Sequence, residues 1–143
     1  MRTILTTAAT TAGADKTIYD RKVFQNILLD ASNVDHTICL IEEPEETNLS
    51  IKGNGVDETA PYRVAFVKQV NFEEQATLNE TTLTTLKTCC KSFLMALVAS
   101  NEFGKIDAVP VRKYQENESD FNAIGWEMTL TLPIKDGYVE CES

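Results

Sequence analysis

The sequence predicts an α+β domain built in two layers, a mainly antiparallel four-stranded sheet with two helices on one face, in the chain order α-β-β-α-β-β. Three observations carry that reading. The stretch 121-FNAIGWEMTLTLPI-134 places Ile124, Trp126, Met128, Leu130, Leu132 and Ile134 on one side of an extended chain and Ala123, Gly125, Glu127, Thr129 and Thr131 on the other. Further upstream, Leu83, Leu86, Cys90, Phe93, Leu94, Leu97 and Val98 form one stripe at helical spacing. The chain has 143 residues, 43% hydrophobic and 24% charged, which suits a single domain over 1–143 that needs no disulfide or metal staple.

The elements follow in order. Residues 1–19 are threonine-rich, and the threonines interrupt every apolar run, so the segment reads as a flexible cytosolic start and not as a secretory leader. Val23, Phe24, Ile27, Leu28 and Ala31 have helical spacing behind Asp20 as N-cap, which predicts a short helix over 20–31. The stretch 36-HTICLIEE-43 is apolar in its middle, too short for a helix and stopped by Pro44, so it reads as a buried strand. A long polar insert, 44–60, carries acids and Gly53-Asn54-Gly55 and is expected to be poorly ordered in an isolated subunit.

From Tyr62 to Phe72 the sequence reads as a second strand, with Tyr62, Val64 and Phe66 on one parity and Ala65 and Val67 on the other. Thr77 and Glu80 form a capping box opening the long helix, and Gly104 is placed to stop it. Residues 106–115, the polar turn ENESD and the final strand make a hairpin whose first arm lies at a sheet edge or bulge, because Pro110 lacks an amide donor. Trp126 is the anchor on which the long helix packs, and 135–143 is a C-terminal tail.

The same residues argue against several kinds of chemistry. Cys39, Cys89, Cys90 and Cys141 include no C-x-x-C pair and no neighbouring histidines, so they read as buried, reduced, metal-free thiols. His36, the one histidine, begins a strand without a local nucleophile and reads as a satisfied strand-end residue. The acids Glu42, Glu43, Glu45 and Glu46 lack the alternating spacing of a calcium loop, and 53–55 lacks the third glycine of a dinucleotide site. No catalytic residue, cofactor or metal is expected. Thirteen basic residues against 22 acidic ones leave a formal charge of -9. The bases are scattered over Arg21, Lys22, Lys87, Lys91, Arg112 and Lys113, which disfavours specific DNA binding. No apolar run approaches a membrane span.

The series CLIEEPEE, polar insert, YRVAFVKQVNF, long helix ending SNEF and closing hairpin with Gly125, Trp126, Met128 and Leu130 resembles the tail-terminator or tail-completion proteins of tailed bacteriophages, from about Asp20 to Ile134. The resemblance implies a structural virion subunit, assembled in the host cytoplasm into a homo-oligomeric ring at the head-proximal end of the tail. There it would stop tube growth and join tail to head, beside tail-tube and head-completion or other neck proteins. An acidic lumen would let DNA pass without binding it. Under this reading Leu49, Ile51 and Val56, the apolar residues of the insert, are expected in the subunit contact, and Glu45, Glu46, Asp57 and Glu58 at its wet rim or facing the channel. The alternative is a cytoplasmic ligand-binding or regulatory α+β module, with the insert as a ligand lid.

Overall fold

The computed structural model describes residues 2–19, 36–52, 55–70, 76–103, 106, 108–118, 121–133 and 139–140. The expected helix over 20–31, the Gly104 stop, Cys141 and Ile134 lie outside the described residues. Among those described are α1 (Arg2–Thr11), β1 (Lys16–Ile18), β2 (Thr37–Glu42), β3 (Asn48–Lys52), β4 (Gly55–Val70), α2 (Ala76–Ser100), β5 (Val111–Glu118), β6 (Phe121–Pro133) and β7 (Val139–Glu140). The class is α+β, as the sequence predicts. The sheet is larger than the four antiparallel strands expected: seven strands join in one sheet, and β1 runs parallel to β2.

β4 is the spine. At about 3.3 Å per residue its sixteen residues extend on the order of 50 Å, longer than any partner. Along one edge it pairs first with β3, at residues 55–59, and then with β2, at residues 63–68. Along the other it pairs with β7 at Gly55 and Val56 and with β6 from Thr59 to Val70. β5 closes the sheet beyond β6. Pro110 stands just before that edge strand, where its carbonyl still accepts the Thr129 amide at 3.2 Å, consistent with the edge position expected of a residue without a donor.

The N-terminal segment corrects the expectation of flexibility. Residues 2–11 form a helix whose Leu5, Ala8 and Ala9 are buried in the main core. Gly13 ends it at φ 109°, with its amide on the Thr10 carbonyl at 3.1 Å and the Ala14 amide on the Ala9 carbonyl at 3.0 Å. These paired bonds satisfy two of the last carbonyls, and the left-handed turn is one that glycine alone adopts without penalty. The chain then enters β1, with Asp15 exchanging hydrogen bonds with Thr37: its amide donates to the Thr37 carbonyl and its carboxylate accepts the Thr37 amide, both at 2.8 Å. A two-residue strand, β7, lies within the expected C-terminal tail.

α2 begins at Ala76, so Thr77 stands inside the first turn and not at the N-cap. Leu86, Cys90, Phe93 and Leu97 are buried as the stripe predicts, and Cys89 joins them. Val98 does not, because it lies about 100° round the helix from Leu97, and it is exposed. The helix ends at Ser100, and Asn101, with a φ of 57°, gives the left-handed stop that the sequence places at Gly104.

Both helices cover one sheet face. Leu5, Ala9, Leu86, Phe93 and Leu97 share a cluster with Cys39, Ile41, Tyr62, Val64, Phe66, Met128, Leu130 and Leu132. Phe66 and Phe93 meet edge to face, with centroids 5.6 Å apart. Trp126 is half-buried against the cluster; its indole donates to the Leu83 carbonyl at 2.9 Å and the Lys87 ammonium lies 4.3 Å from the ring centroid. The opposite face carries a second buried cluster of Ile18, Ile38, Leu40, Ala65 and Val67.

Candidate assembly surface

The insert is a β-ribbon. β3 pairs with the start of β4 in the register Asn48↔Thr59, Leu49↔Glu58, Ser50↔Asp57, Ile51↔Val56 and Lys52↔Gly55. The pairing explains why the expected disorder gives way: N-L-S-I-K alternates, and the ladder satisfies backbone groups that a polar loop would leave to water. Residues directly opposite in an antiparallel pair share a face, so Leu49, Ile51, Val56 and Glu58 lie on one side. Asn48, Ser50, Asp57 and Thr59 lie on the other.

That first side has a specific relation to the core. Val56 and Glu58 have the same parity in β4 as Ala60, Tyr62, Val64 and Phe66, the residues facing the helices. One strand face, mostly apolar but interrupted by Glu58 and Lys68, therefore continues along β4, and its residues from Ala60 to Phe66 join the core beneath the helices. On the ribbon, Leu49 is 68% exposed and Ile51 86%, while Val56 is half-buried. The three candidate contact residues are thus brought together on one face.

The acids divide. Glu58 stands opposite Leu49 on the apolar side, its carboxylate accepting from the Thr47 hydroxyl at 3.2 Å, whereas Asp57 belongs to the polar side and accepts the Glu58 amide at 3.0 Å. Glu45 and Glu46 are exposed in the link between β2 and β3. Because β2 ends opposite Arg63 and β3 begins opposite Thr59, that edge of β4 is unpaired by either strand over Ala60, Pro61 and Tyr62. Pro61, without an amide donor, falls in this break. A cleft of about 410 Å³ opens there, lined by Glu42, Glu43, Glu45 and Glu46 with Pro61, Tyr62, Arg63 and Thr129.

One wall of the cleft is tied to α1. The Arg2 guanidinium hydrogen-bonds the Glu43 carboxylate, with its Nε at 2.9 Å, and lies 4.7 Å from the centroid of the Tyr19 ring. The Tyr19 hydroxyl donates to the Arg2 carbonyl at 2.9 Å. The hydrogen bond from Arg2 holds Glu43 below the usual carboxylate range, so it stays anionic in mildly acidic solution. Burial, then the Glu43 charge, pushes the Tyr62 phenol up.

The three described thiols suit structure better than chemistry. Cys39, Cys89 and Cys90 are free and buried, and desolvation raises all three thiols, Cys90 to about 12. A thiol protonated at neutral pH is a poor nucleophile and a poor metal ligand. His36 differs from its expected satisfied state: its Nδ1 is buried and finds no hydrogen-bond partner among the described residues. No helix among the described residues is long and apolar enough to cross a membrane.

Sequence reasoning missed the outer face of α2, where Met95 is 73% exposed and Val98 67%. The signal was present, since Met95 is apolar yet falls outside the buried stripe. No protein-family model matches the chain, and no curated protein matches it either.

Proposed function

We propose that the chain is a structural virion subunit of the tail-terminator kind and not an enzyme. It closes a ring at the head-proximal end of a phage tail, ends tube growth and joins tail to head. The observation that carries the reading is the ribbon face on which exposed Leu49 and Ile51 flank half-buried Val56, a continuation of the face that elsewhere builds the core. Isolated exposed apolar residues are ordinary on protein surfaces. A paired ribbon that extends a core face past its helices is instead a shape that a neighbouring subunit can complete.

One further feature supports it. The charge of -9 suits a lumen from which DNA must slide freely, because acidic side chains repel phosphates. On this reading the adjoining tail-tube and neck proteins are the partners, and neither cofactor nor metal is needed.

The test is complementation of a phage lacking this gene, with virions purified and analysed by mass spectrometry. The reading expects the protein in particles, and a chain lacking residues 48–57 to fold yet leave heads and tails unjoined. If the protein is absent from particles, the reading is wrong. If the deletion variant completes particles, the ribbon has no part in assembly.

A further inference from the structure

We infer that the ribbon of one subunit docks on the outer face of α2 of the next copy, a contact that rests on the ring reading and gives it a partner surface. At about 100° per residue, Leu86, Cys90, Phe93 and Leu97 occupy a narrow arc of α2 facing the sheet. Lys91, Met95 and Val98 lie roughly 140° round from it and are exposed. The large apolar side chains most exposed among the described residues therefore fall into two pairs, Leu49 with Ile51 and Met95 with Val98.

The pairs match in charge and in length. Leu49 and Ile51 stand beside Glu58, with Glu45 and Glu46 in the preceding link, whereas Met95 and Val98 follow Lys91 by one and two turns. The five residues of β3 extend about 17 Å and the last ten of α2 about 15 Å. Made in one direction only, a ribbon-to-helix contact is a heterologous interface, which repeats by rotation and forms a ring where that rotation closes; the same contact made reciprocally between two copies would stop at a dimer. Glu102, just beyond the end of α2, stands near the far end of this face, so Glu58 is positioned to meet Lys91 only with the ribbon in one direction.

The experiment uses two variants of the full chain, Leu49→Asp with Ile51→Asp, and Met95→Asp with Val98→Asp. Each is sedimented alone and then mixed at equal concentration. The wild-type chain is expected to associate, and each variant to associate roughly thirtyfold more weakly or worse. The mixture is expected to give a heterodimer and nothing larger, because one intact ribbon and one intact helix face remain. A mixture that stays monomeric overturns the contact, as does a helix variant that associates like wild type. A ribbon variant that alone loses association leaves the ring reading standing with another receiving surface. A wild-type chain monomeric throughout also overturns the contact, but only its absence from virions overturns the ring reading with it. Should either aspartate pair unfold the chain, Lys91→Glu and Glu58→Lys serve instead: each is expected to weaken association and the two together to restore it, and additive losses overturn the pairing.

Discussion

β4 carries the same alternation through two regions that the fold treats differently. From Ala60 to Phe66 its even-numbered side chains are buried beneath α1 and α2; at Val56 and Glu58, beside β3, the same face is only half-buried and neither residue belongs to the core cluster. The backbone pairing is continuous across both. Each residue of β4 is thus paired along at least one edge, and what changes most between the two regions is the cover. A sheet face left bare next to a finished core is where a fold stops serving its own stability and becomes available to a neighbour.

The contrast predicts where substitutions matter. Phe93→Ala, in the covered region, is expected to cost about 3–5 kcal/mol, measured by denaturant unfolding, because it empties a buried site against Phe66. A cost below about 1 kcal/mol would mean that α2 does not cap this sheet. Gly125→Ala comes next. A Cβ there would stand 2.0 Å from the Phe66 carbonyl oxygen and 2.8 Å from the Val67 Cα, both backbone, so two central strands must part. About 1–3 kcal/mol is expected by the same assay.

Alkaline pH acts on the covered region as well. Cys39, Cys89 and Cys90 have folded-state values raised above the ordinary 9.0, and Tyr19 and Tyr62 shift the same way. Their contribution to stability is whole below about pH 9 and is lost as pH rises toward about 12, since the unfolded chain then releases protons that the folded one retains. Thermal midpoints that do not fall over that window would show these groups to be solvated. Smaller still is Lys87→Ala, expected to cost about 0.5–1 kcal/mol through its contact with the Trp126 ring, read from unfolding followed by tryptophan fluorescence.

How much was legible in the sequence follows from what each region must satisfy. β2, β4, β6 and the buried arc of α2 were readable because core burial demands a strict period, and Trp126 sits where that period places it. α1 was missed although Ile4, Leu5, Ala8, Ala9 and Ala12 have helical spacing, because threonine is a weak helix former and the apolar side chains are small. β3 looks like loop in the sequence because five residues with two apolar side chains give too short an alternation, and only the ladder with β4 makes them a strand. The tie between Arg2 and Glu43 joins residues 41 apart, which no local pattern encodes. The candidate residues Leu49, Ile51 and Val56 were nameable as apolar residues of a polar insert; their shared face, and its continuity with the core, came from register.

The smallest expected effect on stability is the one that matters most for function. Leu49→Asp with Ile51→Asp should change unfolding free energy by no more than about 0.5 kcal/mol per site, because both side chains project into water from a ribbon whose ladder is unaltered. The most direct measurement is the amount of this doubly substituted chain, relative to wild type, in virions purified from a complemented infection. The account predicts wild-type protein in every particle and the folded variant essentially absent. A variant incorporated as fully as the wild type would contradict the assignment of the ribbon face to assembly.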